Sequence, residues 1–230
     1  MIGIVIPAHD EEALLADCLQ AARIAAAHPE LRGEIVRIVV ALDSCTDGSA
    51  SIARGFDAHA LALEVRNVGK ARAAGAATLL EQGVRWLAFT DADSRVAPDW
   101  LVAQRALDAE AVCGPVIVED WREHDHLTRD AFYRAYLNAD GHRHVHGANF
   151  GVSARAYCRA GGFPPLACSE DVALVGLLVE TGARIAWSAA PRVVTSARIA
   201  SKVRGGFGDT LIRLAARDGD VQPGVRGSLA

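Results

Sequence analysis

Short apolar runs alternate with longer amphipathic stretches through the first half of the chain. Residues 2–6 form a continuous apolar run, as a strand buried on both faces requires, and Pro7 closes it. From Glu11 to about Ala27 the apolar positions Leu14, Leu15, Cys18, Leu19 and Ala22 share one helical face. The alternation then continues with a β-branched strand at 35–42, a helix from 49 to 53 and a strand at 61–65. An Ala-rich helix at 71–82 and a strand at 86–90 follow. Strand-then-helix order with apolar strands predicts an α/β fold, a mostly parallel sheet with helices on both faces. Beyond a strand at 112–118 the order loosens. The pattern there gives a helix at 127–138, a His-rich segment, a strand at 145–152, and helices at 154–160 and 171–180.

The length of 230 residues suits one domain with an elaborated end, here residues 1–210, and a tail at 211–230 whose last residues have little to anchor them. Half of the residues are hydrophobic and 23% are charged, enough apolar material for a sizeable core. The net charge of -4, with no basic run, argues against a nucleic-acid surface. No apolar stretch approaches the roughly 18 residues of a membrane helix, and the acidic cluster after residue 8 argues against a signal peptide. Five cysteines without a C-x-x-C pair point to a reduced, cytoplasmic protein.

In open α/β sheets, ligands bind beyond the carboxyl ends of the strands. Four strand ends here carry acidic or phosphate-compatible residues: Pro7-Ala8-His9-Asp10-Glu11, Asp43 to Ser49, Asn67-Val68-Gly69-Lys70, and Asp91-Ala92-Asp93-Ser94. Asp91 and Asp93, two apart after a buried strand, suit a hard divalent ion, Mg²⁺ or Mn²⁺, that keeps positions for diphosphate and water. Asp43 can accept the ring N–H of uracil or guanine, which cytosine and adenine lack. Gly69-Lys70 opens the Ala-rich helix, where N–H groups and an ammonium together favour phosphate, although on its own the pair reads more readily as a plain helix start. Glu170 and Asp171 begin another helix behind Ser169, which fits an N-cap; the acids either stabilise the first turn or supply a general base. His142, His144 and His146 alternate along an expected strand, without an acidic or cysteine ligand at a zinc spacing.

Taken together, these motifs resemble the family 2 glycosyltransferases of the GT-A fold, a Rossmann-like α/β architecture. Pro7-Ala8-His9-Asp10-Glu11-Glu12 is similar to that family's P-A-Y-N-E-E opening, and Asp43 through Ser49 to its D-G-S-T-D-G-T loop. Asn67 through Ala73 resembles its N-x-G-x-x-x-A segment, and Asp91-Ala92-Asp93 its D-x-D. Gly147-Ala148-Asn149, Arg155 and Gly161-Gly162-Phe163 resemble the segment before the catalytic Glu-Asp, here Glu170-Asp171. The resemblance implies transfer of a sugar from a UDP- or GDP-linked donor to a hydroxyl on a small-molecule, lipid or saccharide acceptor, normally with inversion.

By the same resemblance, Pro7, Ala8, Glu11, Asp43, Lys70 and Asp91 would bind the nucleotide, and Asp93 with Asp91 the metal. Gly147, Ala148 and Asn149 would face donor and acceptor, and Asp171 with Glu170 would carry the chemistry. Several positions depart from the pattern: His9 and Asp10 replace Tyr and Asn, Leu42 replaces an acid, and Gly75 stands where Asn is common. Thr195-Ser196-Ala197-Arg198 stands where many relatives supply a further metal-ligating His. The cationic, Gly-rich stretch 195–209 is a cover for the diphosphate, a binding segment for an anionic acceptor, or a solvated arm. The alternatives are a retaining GT-A transferase resembling glucosyl-3-phosphoglycerate synthase and a nucleotide-binding module without catalysis. An acidic loop after the first strand argues against a nucleotidylyltransferase.

Overall fold

The computed structural model describes residues 1–121, 124–166 and 168–198. The tail expected at 211–230 and residues 199–209 of the Gly-rich stretch lie outside the described residues. By compactness the chain divides into two units. The larger comprises Met1–Glu119 and Asn138–Ser196, the smaller Asp120–Leu137 and Ala197–Ala230.

The larger unit begins as the periodicity predicts: β1 (Ile2–Ala8), α1 (Leu15–Ala26), β2 (Val36–Asp43), α2 (Ser49–Gly55), β3 (His59–Leu63), α3 (Val68–Glu81) and β4 (Trp86–Phe89). Strand β1 continues through Pro7 instead of ending before it. Thr90 N–H bonds to Val5 O, so Val5 turns its bonding groups toward β4, and so does Pro7 two residues on. Pairing with β4 stops at Val5, however, and the missing proline N–H has no partner to lose. The expected strand at 112–118 is two short strands, because Gly114-Pro115 interrupts it. They follow β5 (Arg95–Val96) and α4 (Trp100–Ala106), and are β6 (Ala111–Cys113) and β7 (Ile117–Val118).

In the smaller unit, α5 (His126–Ala135) is capped by Asp125, whose carboxylate accepts the Thr128 N–H at 2.8 Å. Phe132 stacks on Tyr136 there, and Trp121 packs against Phe132. The larger unit then resumes with a 3-10 turn at Gly147–Asn149, β8 (Phe150–Ser153), α6 (Ala154–Arg159), α7 (Glu170–Glu180), β9 (Ile185–Trp187) and β10 (Val193–Thr195). The histidine-rich part of the expected 145–152 strand is therefore not strand.

Seven strands pair in the order β3-β2-β1-β4-β8-β6-β9, and β5-β10-β7 form a second sheet. The seven-stranded sheet is mainly parallel, with β8 antiparallel to both of its neighbours. Its pleat sorts the core into two layers. Ile2, Ile4, Ile6, Val40, Leu42, Trp86 and Ala88 join one cluster with Leu15, Leu19 and Trp100. Val5, Val39, Leu87 and Phe89 join the opposite cluster with Leu79, Tyr157 and Leu174. Each large side chain withdrawn fully from water contributes roughly 1.5–3 kcal/mol. Gly75 sets how closely α3 approaches this sheet, since a Cβ there would lie 2.6 Å from Val5 Cγ1.

Candidate active site

Because β1 to β4 run parallel and β8 runs against them, one edge of the sheet gathers four strand ends and one strand beginning. The acids after β1 and β2 stitch these loops together. Asp10 accepts the Thr46 N–H at 2.7 Å, and Asp47 accepts the Glu12 N–H at 2.9 Å. Glu12 in return accepts the Gly48 N–H at 2.7 Å, and the Glu11 N–H reaches Ser49 Oγ at 2.9 Å. Glu11 itself is buried. Asp10, Ser44, Arg66 and Ser169, all at this edge, hold left-handed backbone at φ of 50°, 54°, 45° and 57°. That conformation is uncommon for residues other than glycine, asparagine and aspartate, so surrounding bonds must hold Ser44, Arg66 and Ser169 in it.

Asp43 supplies much of that hold. Its Oδ1 accepts the N–H groups of Val65 and Arg66, each at 2.8 Å, together with the Ser44 hydroxyl. Oδ2 accepts the Asn67 N–H at 2.8 Å. Burial works to raise the pKa, but the backbone donors of Arg66, Asn67 and Val65 outweigh it and hold the carboxylate below its ordinary value. Asp43 thus shapes the loop entering α3. Asn67 caps that helix through the Lys70 N–H, and Gly69 is buried beneath Pro164 and Glu170. The opening of α3 is accordingly a self-capped helix start, with the Lys70 side chain exposed.

At the β4 end, the half-buried Asp91 meets Arg72 of α3, with Nη2 at 2.5 Å from Oδ1. The other end of the guanidinium, Nη1, bonds the buried Glu170 at the start of α7. Burial alone would depress the Arg72 pKa, yet Asp91 and Glu170 drive it upward, so the guanidinium is always charged. Burial also raises the Glu170 pKa, against the opposing pull of Arg72. Asp93 accepts the Ser94 hydroxyl, which in turn lies 2.8 Å from Thr195 Oγ1. Thr195, in the segment that stands in place of a late histidine, thus touches the D-x-D turn through the Ser94 hydroxyl. Cys18 donates its S–H to Asp91 O at 3.2 Å, and burial followed by the two carboxylates pushes its thiol far up. With that thiol kept protonated, Asp91 and Asp93 offer carboxylate oxygens, donors of the hard kind that suits Mg²⁺ or Mn²⁺. Among the described residues, the three-residue group close enough to share an ion is a different one, Asp10, Cys45 and Asp47.

Asp171 Oδ2 accepts the Gly147 N–H at 2.8 Å, tying α7 to the turn before β8. Ser169 does not cap this helix. Its backbone is left-handed rather than the extended form usual for a capping residue, and no side-chain cap bond forms. Asn149 is committed to the interior: its amide donates to Pro115 O and Pro191 O, and accepts the Trp100 indole N–H. His142, His144 and His146 stack in a row, with His142 buried edge-on to Trp187. Burial first, and then the neighbouring His144, hold His146 at about 3, so this imidazole is neutral.

The model of glycosyl transferase family 2 matches residues 3–155. The chain belongs to this family. A comparison with curated proteins gives no match. Solved structures share the fold. The Staphylococcus aureus TarS fragment 1-349 in complex with UDP-GlcNAc is 14% identical, with a TM-score of 0.64 over 94% of this chain and 66% of that one. A mannosyltransferase from Pyrobaculum calidifontis, in complex with GDP-Man and Mn²⁺, is 19% identical, with a TM-score of 0.63 over 96% and 65%. Glucosyl-3-phosphoglycerate synthase from Mycobacterium tuberculosis, with Mn²⁺ and UDP, is 16% identical, with a TM-score of 0.55 over 94% and 76%. The present chain thus spans slightly less than two thirds of the first two. No helix among its described residues is long and apolar enough to cross a membrane.

The family 2 match contains Asp43, Lys70, Asp91, Asp93 and Gly147 to Asn149, while Glu170 and Asp171 lie beyond it. The fold brings Asp91, Glu170, Asp171 and Gly147 together around Arg72, a residue given no role by motif reading. Its signal was present in the sequence. Gly69, Arg72, Gly75, Ala76 and Leu79 repeat at helical spacing and are all buried, so Arg72 is a charge within an apolar stripe.

Proposed function

We propose that this family 2 chain transfers a sugar from a UDP- or GDP-linked donor to an acceptor hydroxyl, with inversion at the anomeric carbon. The observation that carries the reading is the meeting of the D-x-D turn and the Glu170-Asp171 helix start at Arg72. It joins a hard-ion donor set to a candidate base at one sheet edge. Three structures of the same fold hold nucleotide sugars or nucleotides, two of them with Mn²⁺.

In this proposal Pro7, Ala8, Glu11 and Asp43 line the nucleoside end. Asp43 Oδ2, with one N–H already bound, keeps acceptor capacity for a uracil or guanine ring N–H. Lys70, exposed in the first turn of α3, approaches the phosphates. Asp91 and Asp93 would hold Mg²⁺ or Mn²⁺, which when bound neutralises charge on the leaving diphosphate. The turn at Gly147 and Ala148 faces the sugar and the acceptor, and Asn149 braces that turn from behind. Asp171 takes the proton of the acceptor hydroxyl as that oxygen bonds to the anomeric carbon. The bond from this carbon to the diphosphate oxygen breaks, and the nucleoside diphosphate departs with the electron pair.

The direct test is calorimetry and thermal melting with UDP, GDP, CDP and ADP, with and without Mn²⁺. At a free ligand concentration of 100 times Kd, a true ligand stabilises by roughly 2.7 kcal/mol. Equal responses to all four nucleotides, or none, count against the donor assignment. Once an acceptor is identified, anomer analysis of the product decides between inversion and the retaining alternative.

A further inference from the structure

Arginine facing a carboxylate usually spends both prongs of its fork on the same partner. Arg72 does not. Nη2 goes to Asp91 at the end of β4 and Nη1 to Glu170 at the start of α7, two segments 79 residues apart in sequence. The side chain is 5% exposed, and its Nε has no hydrogen-bond partner among the described residues. One guanidinium therefore serves two carboxylates. It does so where water supplies little competing solvation, and a movement of the guanidinium toward one carboxylate is a movement away from the other.

We infer that Arg72 is a positioning residue that couples donor binding at Asp91 to the catalytic helix start at Glu170. The inference rests on the donor reading above and adds a direction of influence to it. Asp91 Oδ1 is both the oxygen that Arg72 holds and part of the carboxylate offered to the donor's cation. A cation drawing on Asp91 loosens the Arg72–Asp91 pair and shifts the guanidinium toward Glu170. This fixes the first turn of α7 when the donor is in place. In reverse, whatever weakens the hold of Glu170 leaves Arg72 to Asp91 alone and makes that carboxylate a poorer ligand. Coupling between two sites through one shared element is reciprocal by thermodynamic necessity.

A double-mutant cycle read on affinity tests this without an acceptor. Binding of UDP and of GDP in Mn²⁺ is measured by calorimetry for the native chain, Glu170→Gln, Arg72→Lys and the double variant. Glu170→Gln should weaken the Mn²⁺-dependent affinity about fivefold or more, the lower end of ordinary coupling between sites. Arg72→Lys keeps the charge but replaces a planar fork with a point charge, so in that background Glu170→Gln should change affinity little. A role in stability alone would lower melting temperatures without this dependence of one substitution on the other. The inference is overturned if Glu170→Gln leaves affinity unchanged in the otherwise native chain, a measurement that needs no Arg72 variant to fold. It is overturned equally if the same loss persists beside Arg72→Lys, because the effect then bypasses the guanidinium. Failure of the native chain to bind either nucleotide removes the donor reading itself, and this inference with it.

Discussion

A Cβ placed on Gly147 would clash with the guanidinium of Arg72, against Nη2 and Cζ. The residue whose N–H holds Asp171 is thus also the one whose missing side chain lets Arg72 reach Asp91 and Glu170. Three bonds that look independent depend on one backbone position.

Gly147→Ala should therefore act on chemistry more than on folding. Displacing the guanidinium by about 1 Å misplaces both ends of the site, and misplacements of that size can cost about 10²-fold in rate. Sugar transfer or slow donor hydrolysis, measured beside the melting temperature, checks this. A variant with native turnover would show that the guanidinium can move without consequence.

Asp171→Asn keeps the size and an oxygen able to accept the Gly147 N–H, but it cannot take a proton. Transfer should slow by on the order of 10²–10⁴, with nucleotide affinity nearly unchanged. The charge–dipole contribution lost at the start of α7 is at most about 1 kcal/mol. Near-normal turnover removes Asp171 from the mechanism and favours the retaining alternative.

Asp93→Ala should abolish the Mn²⁺-dependent part of nucleotide binding while leaving the melting temperature close to native. Its carboxylate accepts a neighbouring hydroxyl, whereas Asp91 is held by a buried arginine. Equal calorimetric affinity in EDTA and in Mn²⁺ for the native chain contradicts the assignment outright.

Asp43 carries two expectations. Asp43→Ala should flatten the preference for UDP or GDP over CDP and ADP; a retained native ranking means that another group reads the base. The second expectation concerns pH. The folded pKa lies below the unfolded value of about 3.9, so the stabilisation is present above that value and is lost as pH falls through the folded pKa. Acid unfolding of Asp43→Asn should therefore show a shallower dependence on pH below about 4, whatever the absolute stability. An unaltered slope would assign the acid sensitivity to other carboxylates.

Gly75→Asn restores the residue common in the family but drives a side chain into Val5, which is β-branched and has one comfortable rotamer. Overpacking of this kind costs about 1–3 kcal/mol, readable as a lower denaturation midpoint. An unchanged midpoint would mean that α3 can lift from the sheet freely.

The first half of the fold was legible because its signal is periodicity. Strands β1 to β4 and helices α1 to α3 were located within a few residues, since continuous apolar runs and helical stripes leave little choice. Shorter elements were not. Helix α4 lies among residues without caps, with Asp99 in the cap position making no cap bond, and β5, β7 and β10 are two or three residues long. Whether a strand such as β8 runs parallel or antiparallel is a tertiary property that no local pattern encodes. Among the candidate site residues, the D-x-D and Glu-Asp pairs were visible as strand-end and helix-start acids. Arg72 was missed because a cation in an Ala-rich helix reads as solvated until the buried stripe around it is drawn. The Ser169 cap failed for a comparable reason: the left-handed turn that delivers Glu170 to Arg72 overrides the local preference of serine.

The crossing pattern of the sheet also bears on the order in which the site can come into being during synthesis. Strand β1 pairs with β4 some 84 residues later, as in Val5 with Phe89, and β4 then pairs with β8. Loop closure over such separations is slow, and contacts of this kind form late in folding. The sheet edge built from the first four strands and α3 can take shape while the chain is still emerging. Arg72 and Asp91 can meet at that stage, but Glu170 arrives another 79 residues after Asp91. Until it does, one prong of the guanidinium has no carboxylate to bond, so the docking of α7 completes both the charge pairing and the burial of this arginine.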